Sequence, residues 1–340
     1  MNPNCSIIIT SIAKDNNQVL QTFARECKKN NTNFIVIGDK PSPIDFEING
    51  CDFYGLEAQK KLDFEFAQLV PERHYSRKNI GYLIAIQKGT ELIVETDDDN
   101  FPKEKFWENR EAMHQTAFLE NQDWVNVYRY FSSGYIWPRG YPLEHLQKEI
   151  PSLKEAPQKE VYCPIQQGLA DENPDIDAVF RLTQSLPHYF TINNKVALGT
   201  NSWCPFNSQN TSFFPDAFPL LYLPSYCSFR MTDIWRSFVA QRICWENNWF
   251  LLFDDATVWQ ERNAHNLLRD FEDEIPGYLN NAKICTTLAQ LPLKKGKEFI
   301  FENLLRCYEA LIEIKVVGSD EITLLNAWIR DLSKLRNVSK

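Results

Sequence analysis

The chain has 340 residues, a formal net charge of −9 and 44% hydrophobic residues. This length suits one large domain, or a large domain with a smaller one beside it. No basic stripe offsets the acidic balance, which argues against binding to nucleic acid or to an anionic membrane. Nine widely spread cysteines include no C-x-x-C pair, so the sequence predicts buried free thiols in a reducing compartment and no zinc site.

The N-terminal residues lack a basic region followed by a long apolar one. No segment reaches the length of about eighteen uncharged apolar residues that a membrane span needs. We therefore expect no signal peptide, no transmembrane segment and a cytoplasmic location.

Strands and helices alternate along the first hundred residues. Apolar periodicity predicts strands at 6–12, 33–37 and 92–96 and helices at 16–29, 62–69 and 79–88, with Gly89 as the C-cap of the last helix. This order predicts an α/β fold with a doubly wound, Rossmann-like sheet and right-handed crossovers. Neither a G-x-G-x-x-G motif nor a Walker P-loop occurs, which disfavours a dehydrogenase or a P-loop ATPase.

The rest of the chain changes character twice. Residues 124–224 are rich in proline and aromatics and predict strands and long ordered loops around a site. A helix follows at 232–247 and a strand at 249–253, and helices are predicted at 281–291, 297–314 and 321–335. We therefore divide the chain into an α/β domain, residues 1–275, and a helical C-terminal appendage, residues 276–340. The apolar faces of the appendage fit a homo-oligomer interface, an acceptor-binding cap or a lid.

Three consecutive aspartates, Asp97, Asp98 and Asp99, end the buried strand at 92–96. The carboxyl ends of strands are where open α/β sheets bind ligands. Adjacent carboxylates repel each other unless a cation compensates them, and hard oxygen ligands suit Mg²⁺ or Mn²⁺ shared with substrate phosphates. The stretch predicts a metal–diphosphate site, against the alternative of a solvated acidic turn. Since alternate residues of a strand point the same way, we assign Asp97 and Asp99 to contacts with the metal and the diphosphate. Asp98 would orient the ribose or sugar of the same diphosphate ligand.

Six motifs follow one another along the chain: RKNIGYLIAIQKG (77–89), WPRGYPLE (137–144), IQQGL (165–169), PDIDAVF (174–180), PFNSQNT (205–211) and DIWR (233–236) with QR (241–242). In these motifs the chain resembles the STELLO-type glycosyltransferases over residues 5–275, and more weakly the plant reversibly glycosylated polypeptides, which are UDP-arabinopyranose mutases. The resemblance implies a GT-A fold and a nucleotide-sugar-dependent glycosyltransferase. The plant STELLO proteins carry a membrane anchor that is not seen in this sequence, and the tail after about residue 280 lies outside the resemblance.

The resemblance assigns donor-binding roles. The base of the donor would lie over Thr10, Ser11 and Ile12, at the end of the first strand. Asp39, after the second strand, would accept a hydrogen bond from a uracil-like edge, or else be an ordinary turn residue. Arg77, Lys78 and Asn79 precede a helix and suit an anion, or else form a solvated charged pair. His265 would close the metal site, or else lie at the surface or at a helix start.

Two carboxylates and an arginine are the candidates for catalysis. An inverting transferase needs a base for the acceptor hydroxyl, whereas a retaining one does not, and the sequence leaves the stereochemistry open. We assign the base to Asp177, against a structural role, and expect Asp175 to cap the helix that follows. Arg139 would grip a phosphate or a carboxylate bidentately.

The expected function is sugar transfer from a nucleoside-diphosphate sugar, a UDP-sugar first, with Mn²⁺ or Mg²⁺ as cofactor. The acceptor is unknown and would be a glycan, a lipid or a protein. The alternatives are a mutase that interconverts sugar ring forms on the nucleotide, and a non-catalytic nucleotide-sugar sensor or partner subunit.

Overall fold

A computed structural model describes residues 1–261 and 266–338 of the chain. In these ranges the strands are β1 (Cys5–Thr10), β2 (Asn33–Ile37), β3 (Asp52–Tyr54), β4 (Leu92–Thr96), β5 (Asn100–Pro102), β6 (Met113–Leu119), β7 (Asp123–Trp124), β8 (Gln158–Tyr162), β9 (Ile165–Asp171), β10 (Val196–Leu198), β11 (Ser202–Trp203), β12 (Asn210–Phe213) and β13 (Leu251–Gln260). The helices are α1 (Gln18–Lys29), α2 (Leu56–Gln59), α3 (Glu65–Leu69), α4 (Lys78–Gln87), α5 (Ala178–Thr183), α6 (Thr232–Trp245), α7 (Leu267–Gln290), α8 (Ile300–Glu313) and α9 (Glu321–Val338).

One large sheet organises the chain, in the strand order β3-β2-β1-β4-β12-β9-β13-β10-β6-β8, with β5 paired to β13. The first four strands are parallel, and β12 then runs antiparallel between β4 and β9. The predicted α/β fold class with a mixed, GT-A-like sheet is confirmed. Because β1, β2 and β4 are parallel neighbours, their carboxyl ends meet at one edge of the sheet, which is where such sheets form ligand sites.

Alternation along β1 shows that helices cover both faces of the sheet. Ile7 and Ile9 pack in one apolar cluster with Leu20 and Phe23 of α1. Ile8, between them in sequence, packs in a second cluster with Ile80 and other residues of α4. This two-sided burial explains why the strand reads as a continuous apolar run.

A glycine lets α4 approach the sheet closely. A Cβ added to Gly81 would lie 2.6 Å from Ile8 Cγ2 and 3.0 Å from Ile37 Cγ1. The close approach fixes where α4 begins, and therefore where Lys78 lies relative to the end of β4.

The C-terminal helices pack on the rest of the protein. The predicted boundary at residue 275 falls inside α7, which starts at Leu267 and continues through Pro276 to Gln290. Leu304 of α8 and Trp328 of α9 belong to the same buried cluster as Ile8 of β1. The helix predicted at 281–291 therefore begins earlier than expected, and the turns before Pro276 are helical as well. Within the described ranges no helix combines the length and apolar character that crossing a membrane requires.

Candidate active site

A cleft of about 550 Å³ opens at the carboxyl ends of the parallel strands. This volume suits a nucleotide-sized ligand, since small-molecule sites usually measure about 300–1,000 Å³. Side chains that the sequence analysis singled out line it from three strand ends and from the loops that follow: Thr10, Ser11, Ile12, Asp39, Arg77, Asp97, Asp98, Asp99, Arg139 and Asp175.

Asp97 is held by a buried lysine. The Lys78 side chain is fully buried, and its ammonium donates to the Thr96 carbonyl and the Tyr75 hydroxyl, both at 2.7 Å, and to Asp97 Oδ1 at 3.2 Å. The Tyr75 hydroxyl also donates to Asp97 Oδ1 at 2.8 Å. The first carboxylate of the triplet therefore already has a positive partner from the protein. Lys78, which the sequence assigned to an anion site with Arg77 and Asn79, thus contacts a carboxylate of the protein itself.

The other two aspartates have neutral partners. Asp98 accepts a hydrogen bond from the Ser11 hydroxyl, and Asp99 accepts one from Gln260 Nε2 at 3.0 Å. Burial raises the pKa of Asp98, and the neighbouring charge of Asp97 adds to the increase, while the bond from Ser11 opposes it. A cation would relieve the crowding of these charges.

The donor set of the triplet suits a hard divalent ion, because carboxylate oxygens are the ligands that Mg²⁺ and Mn²⁺ prefer. Lys78 already compensates Asp97, whereas Asp98 accepts its hydrogen bond from the neutral Ser11 hydroxyl, so Asp98 is the better ligand of these two. Across residues 1–261 and 266–338, no three His, Cys, Asp or Glu side chains are grouped as a metal site. Mg²⁺ usually shares its coordination between a few carboxylates, water and a diphosphate. His265, the third predicted ligand, lies outside the described residues.

The end of β1 forms one wall of the cleft. Ile12 is 56% exposed there, and the Thr10 hydroxyl, which is buried, finds no hydrogen-bond partner among the described residues. Ser11 donates to Asp98 and accepts a bond from the Ala13 N–H at 3.0 Å. An unpaired buried hydroxyl beside a cleft is a candidate contact for a polar ligand group.

Asp39 holds a loop at the edge of the cleft. Its carboxylate accepts hydrogen bonds from the backbone N–H groups of Lys40, Arg73 and His74, at 2.7–2.9 Å. The turn role that the sequence left open is thus the one seen in the contacts. Arg73 has φ +57°, and both bonds from residues 73 and 74 stabilise this left-handed backbone.

Two residues of the predicted anion site hold other segments instead. Arg77 is buried and donates to Gln59 Oε1 and to the carbonyls of Val70 and Pro71. Asn79 exchanges two hydrogen bonds with the backbone of Leu223, at 2.8 and 2.9 Å. Both side chains therefore bind other parts of the protein. Arg77 holds the segments at 59 and 70–71, and Asn79 holds the distant segment at Leu223.

The opposite wall of the cleft is an ion-pair network centred on Arg139. Its guanidinium binds the Asp175 carboxylate through two bonds of 2.8 Å, and Asp233 at 2.9–3.1 Å. Burial alone would lower the pKa of Arg139, but the two carboxylates outweigh it and raise the pKa. The predicted bidentate grip is present, and its partners are carboxylates of the protein.

The helix cap that the sequence analysis expected at Asp175 lies at Asp177 instead. Asp177 is fully buried, caps α5 by accepting the Phe180 N–H at 2.7 Å, and accepts the Trp137 indole N–H at 2.7 Å. Asp175, two residues earlier, lines the cleft. The expected cap at Asp175 and base at Asp177 followed from spacing alone, and spacing does not show which carboxylate the helix start turns inward.

Hydrogen bonds connect the two walls along the floor of the cleft. The Tyr75 hydroxyl, which contacts Asp97, also lies 2.7 Å from Ser208 Oγ. The Ser208 hydroxyl and N–H both donate to Asp233 Oδ2 at 3.1 Å, and Asp233 binds Arg139. A continuous chain of contacts therefore links the acidic triplet to Asp175.

Several cleft residues were not singled out by the sequence. Tyr75, His74 and Arg73 lie just before the RKNIGYL motif, so their proximity to it was the available signal. Phe229, 54% exposed, packs edge-on against the rings of His74 and Tyr75. Gln260 reaches the triplet from the end of β13, and no local pattern marks it.

The chain is similar to several known proteins. Residues 230–338 match the family model described as STELLO glycosyltransferases. The chain is 28% identical to the probable glycosyltransferase STELLO2 of Arabidopsis thaliana over 88% of this chain and 41% of that protein. It is 28% identical to STELLO1 of the same plant over 96% of this chain and 44% of that protein. Among solved structures it is similar to a mycobacterial protein, with a TM-score of 0.41 and 9% identity over 82% of this chain and 75% of that one.

The chain thus spans less than half the length of the curated relatives. The family model extends to residue 338 and includes α8 and α9. The expectation that the tail after residue 280 lies outside the resemblance was therefore wrong. The family model over residues 230–338 and the two relatives at 28% identity support a STELLO-type glycosyltransferase family for this chain.

Proposed function

We propose that this protein transfers a sugar from a nucleoside-diphosphate sugar, in first place a UDP-sugar, to an acceptor hydroxyl. One observation carries the proposal. The ends of β1, β2 and β4 open into a single cleft, where three consecutive aspartates lie and a buried lysine pairs with the first of them, Asp97. The match of residues 230–338 to the STELLO glycosyltransferase model supports the same reaction class.

On the donor side, we assign Asp98 and Asp99 to a divalent ion, Mn²⁺ or Mg²⁺. Such an ion would neutralise the charge that builds up on the diphosphate as it leaves. Lys78 fixes Asp97 and supplies a further positive charge beneath the triplet. The Thr10 hydroxyl and the exposed face of Ile12 offer one polar and one apolar contact to the nucleoside.

On the acceptor side, we assign the base to Asp175. In an inverting transfer it would take the proton of the acceptor hydroxyl as that oxygen bonds to the anomeric carbon and the nucleoside diphosphate leaves. Arg139 holds the Asp175 carboxylate by both oxygens and so fixes its direction. Asp233 binds the same guanidinium and so helps to hold Arg139 in place.

The test is nucleotide release from a panel of donors. Purified protein is offered UDP- and GDP-sugars with Mn²⁺, with and without a chelator, and free UDP or GDP is measured. We expect slow, chelator-sensitive hydrolysis of one UDP-sugar. The Asp99→Asn variant should lose at least about 100-fold of this rate, since it removes a metal-binding charge. Asp254→Asn serves as the matched control, because Asp254 lies on β13 and pairs with Lys195, away from the cleft.

Other outcomes point elsewhere. A change of sugar ring form without release of nucleotide would support the mutase reading. Binding of a donor without turnover would favour the sensor or partner subunit. No binding of any nucleotide sugar would refute the proposal.

A further inference from the structure

We infer that the C-terminal helix α9 positions one wall of the cleft, and that Glu321 is the residue through which it acts. Glu321, the first residue of α9, is a fully buried carboxylate. It lies far in sequence from every residue that lines the cleft. Its contacts nevertheless lead directly to two of them.

The first step is the contact between Glu321 and residues 222–226. Glu321 Oε2 accepts the backbone N–H groups of Ser225 at 2.9 Å and Tyr226 at 2.7 Å, and Oε1 accepts the Tyr222 hydroxyl. The Gly318 N–H, just before α9, donates to the Tyr226 carbonyl at 2.7 Å. The start of α9 therefore fixes the backbone of this segment by three N–H groups and a hydroxyl.

The second step runs from this segment to the donor side. Ser225 Oγ lies 2.6 Å from Ser76 Oγ, which lies 2.8 Å from His74 Nδ1. The His74 N–H donates to Asp39, at the end of β2. One unbroken path of hydrogen bonds thus joins α9 to the loop that forms the cleft edge.

The third step is the apolar wall itself. Three residues beyond Tyr226 the chain reaches Phe229, whose exposed ring packs against His74 at a centroid distance of 5.7 Å. His74 and Phe229 both line the cleft, and both are held by segments that Glu321 ties together. If the segment at 222–226 moves, the two rings lose their common support.

The tyrosine of this segment makes the coupling specific to α9. The Tyr222 ring packs against Phe66 of α3, Tyr308 of α8 and Trp328 of α9. Its hydroxyl is buried, and Glu321 is its partner. Loss of the carboxylate would leave a buried hydroxyl and two buried N–H groups without acceptors, which favours local rearrangement.

The test compares two buried carboxylates of the same helix. Glu321→Gln keeps the size of the side chain but replaces one acceptor oxygen with a donor. Asp331→Asn is the matched control, because Asp331 is also buried in α9 and accepts two backbone N–H groups, those of Glu65 and Phe66, which do not line the cleft. Amide hydrogen exchange and UDP affinity in the presence of Mn²⁺ are measured for both variants and for the wild type.

We expect Glu321→Gln to speed exchange in residues 73–77 and 222–231 at least tenfold while β1 and β4 keep their protection. Its UDP dissociation constant should rise about tenfold, a value that corresponds to about 1.4 kcal/mol. Asp331→Asn should leave both readouts within about twofold of the wild type, even if its melting temperature falls as far as that of Glu321→Gln.

The inference is overturned if exchange in the two segments stays unchanged, if it rises equally throughout the chain, or if Asp331→Asn gives the same local pattern. The affinity arm rests on the proposed function, whereas the exchange arm does not. A wild type that binds no nucleotide would count against the proposed function alone, and the local exchange would still decide the role of Glu321.

Discussion

The buried ion pair between Glu95 and Arg236 gives a sharp stability prediction. Glu95 lies on β4, two residues before the acidic triplet, and Arg236 lies on α6. Their side chains are 0% and 1% exposed, and the guanidinium forms two bonds to the carboxylate, of 3.0 and 2.6 Å. Burial alone would lower the pKa of Arg236, but Glu95 and Tyr82 raise it.

The perturbation is Arg236→Met, which keeps apolar contact with Phe206 and Phe213, whose rings lie 5.4 and 5.3 Å from the guanidinium carbon. It leaves Glu95 as a buried charge without its cation. Removing one partner of a buried pair costs about 3–5 kcal/mol, so we expect the free energy of unfolding to fall by that amount. Adding Glu95→Gln removes the orphaned charge and should restore about 2 kcal/mol of the loss.

The assay is urea denaturation followed by tryptophan fluorescence, with the free energy of unfolding extrapolated to water. Arg330→Met is the control, because Arg330 makes an equally short bidentate pair with Glu65, but at 52% and 40% exposure. That surface pair should contribute less than about 1 kcal/mol. A loss below about 1 kcal/mol for Arg236→Met, or a double variant no more stable than the single one, would refute the reasoning.

Three further predictions concern the cleft and its supports. Asp175→Asn should lower turnover in a donor-hydrolysis assay by about 100-fold or more. Since Asp177 caps a helix, Asp177→Asn should keep turnover within about tenfold of the wild type. Burial raises the pKa of Asp177 to about 7 from its usual value of 3.8, so the folded state binds this proton more tightly than the unfolded chain. The stabilisation is therefore present below pH 3.8 and is lost as the pH rises to about 7, and thermal melts of Asp177→Asn should show a flatter pH dependence than wild type in that window. Gly140→Ala should lower the melting temperature, because Gly140 has φ +88° and an added Cβ would lie 2.4 Å from Ile234 Cγ2; an unchanged melt would contradict this.

Local sequence patterns determined the elements of the first half. The continuous apolar runs at β1, β2 and β4 predicted buried strands because each is covered on both faces by helices. Apolar positions at helical spacing predicted α1, and the structure shows its cap, where the Asn17 side chain accepts the Leu20 N–H. The end of β4 in three aspartates placed a charged site at the edge of the sheet, and the cleft lies there.

Tertiary structure decided which charged groups meet, because their partners come from distant parts of the chain. Lys78 reaches Asp97, Arg139 reaches Asp175 and Asp233, and Glu321 reaches Ser225, and none of these pairs follows from a local pattern.

The same limit explains why the sequence analysis expected the helix cap at Asp175, whereas the structure has it at Asp177. Both carboxylates precede one helix, and the capping geometry depends on how the chain enters it. That entry is set by Trp137, which donates to Asp177, and by Arg139, which binds Asp175. Sequence by itself therefore determined the strands, the edge where they end and the acidic residues at that edge. Only the packing of distant segments determined which carboxylate is buried and which one faces the cleft.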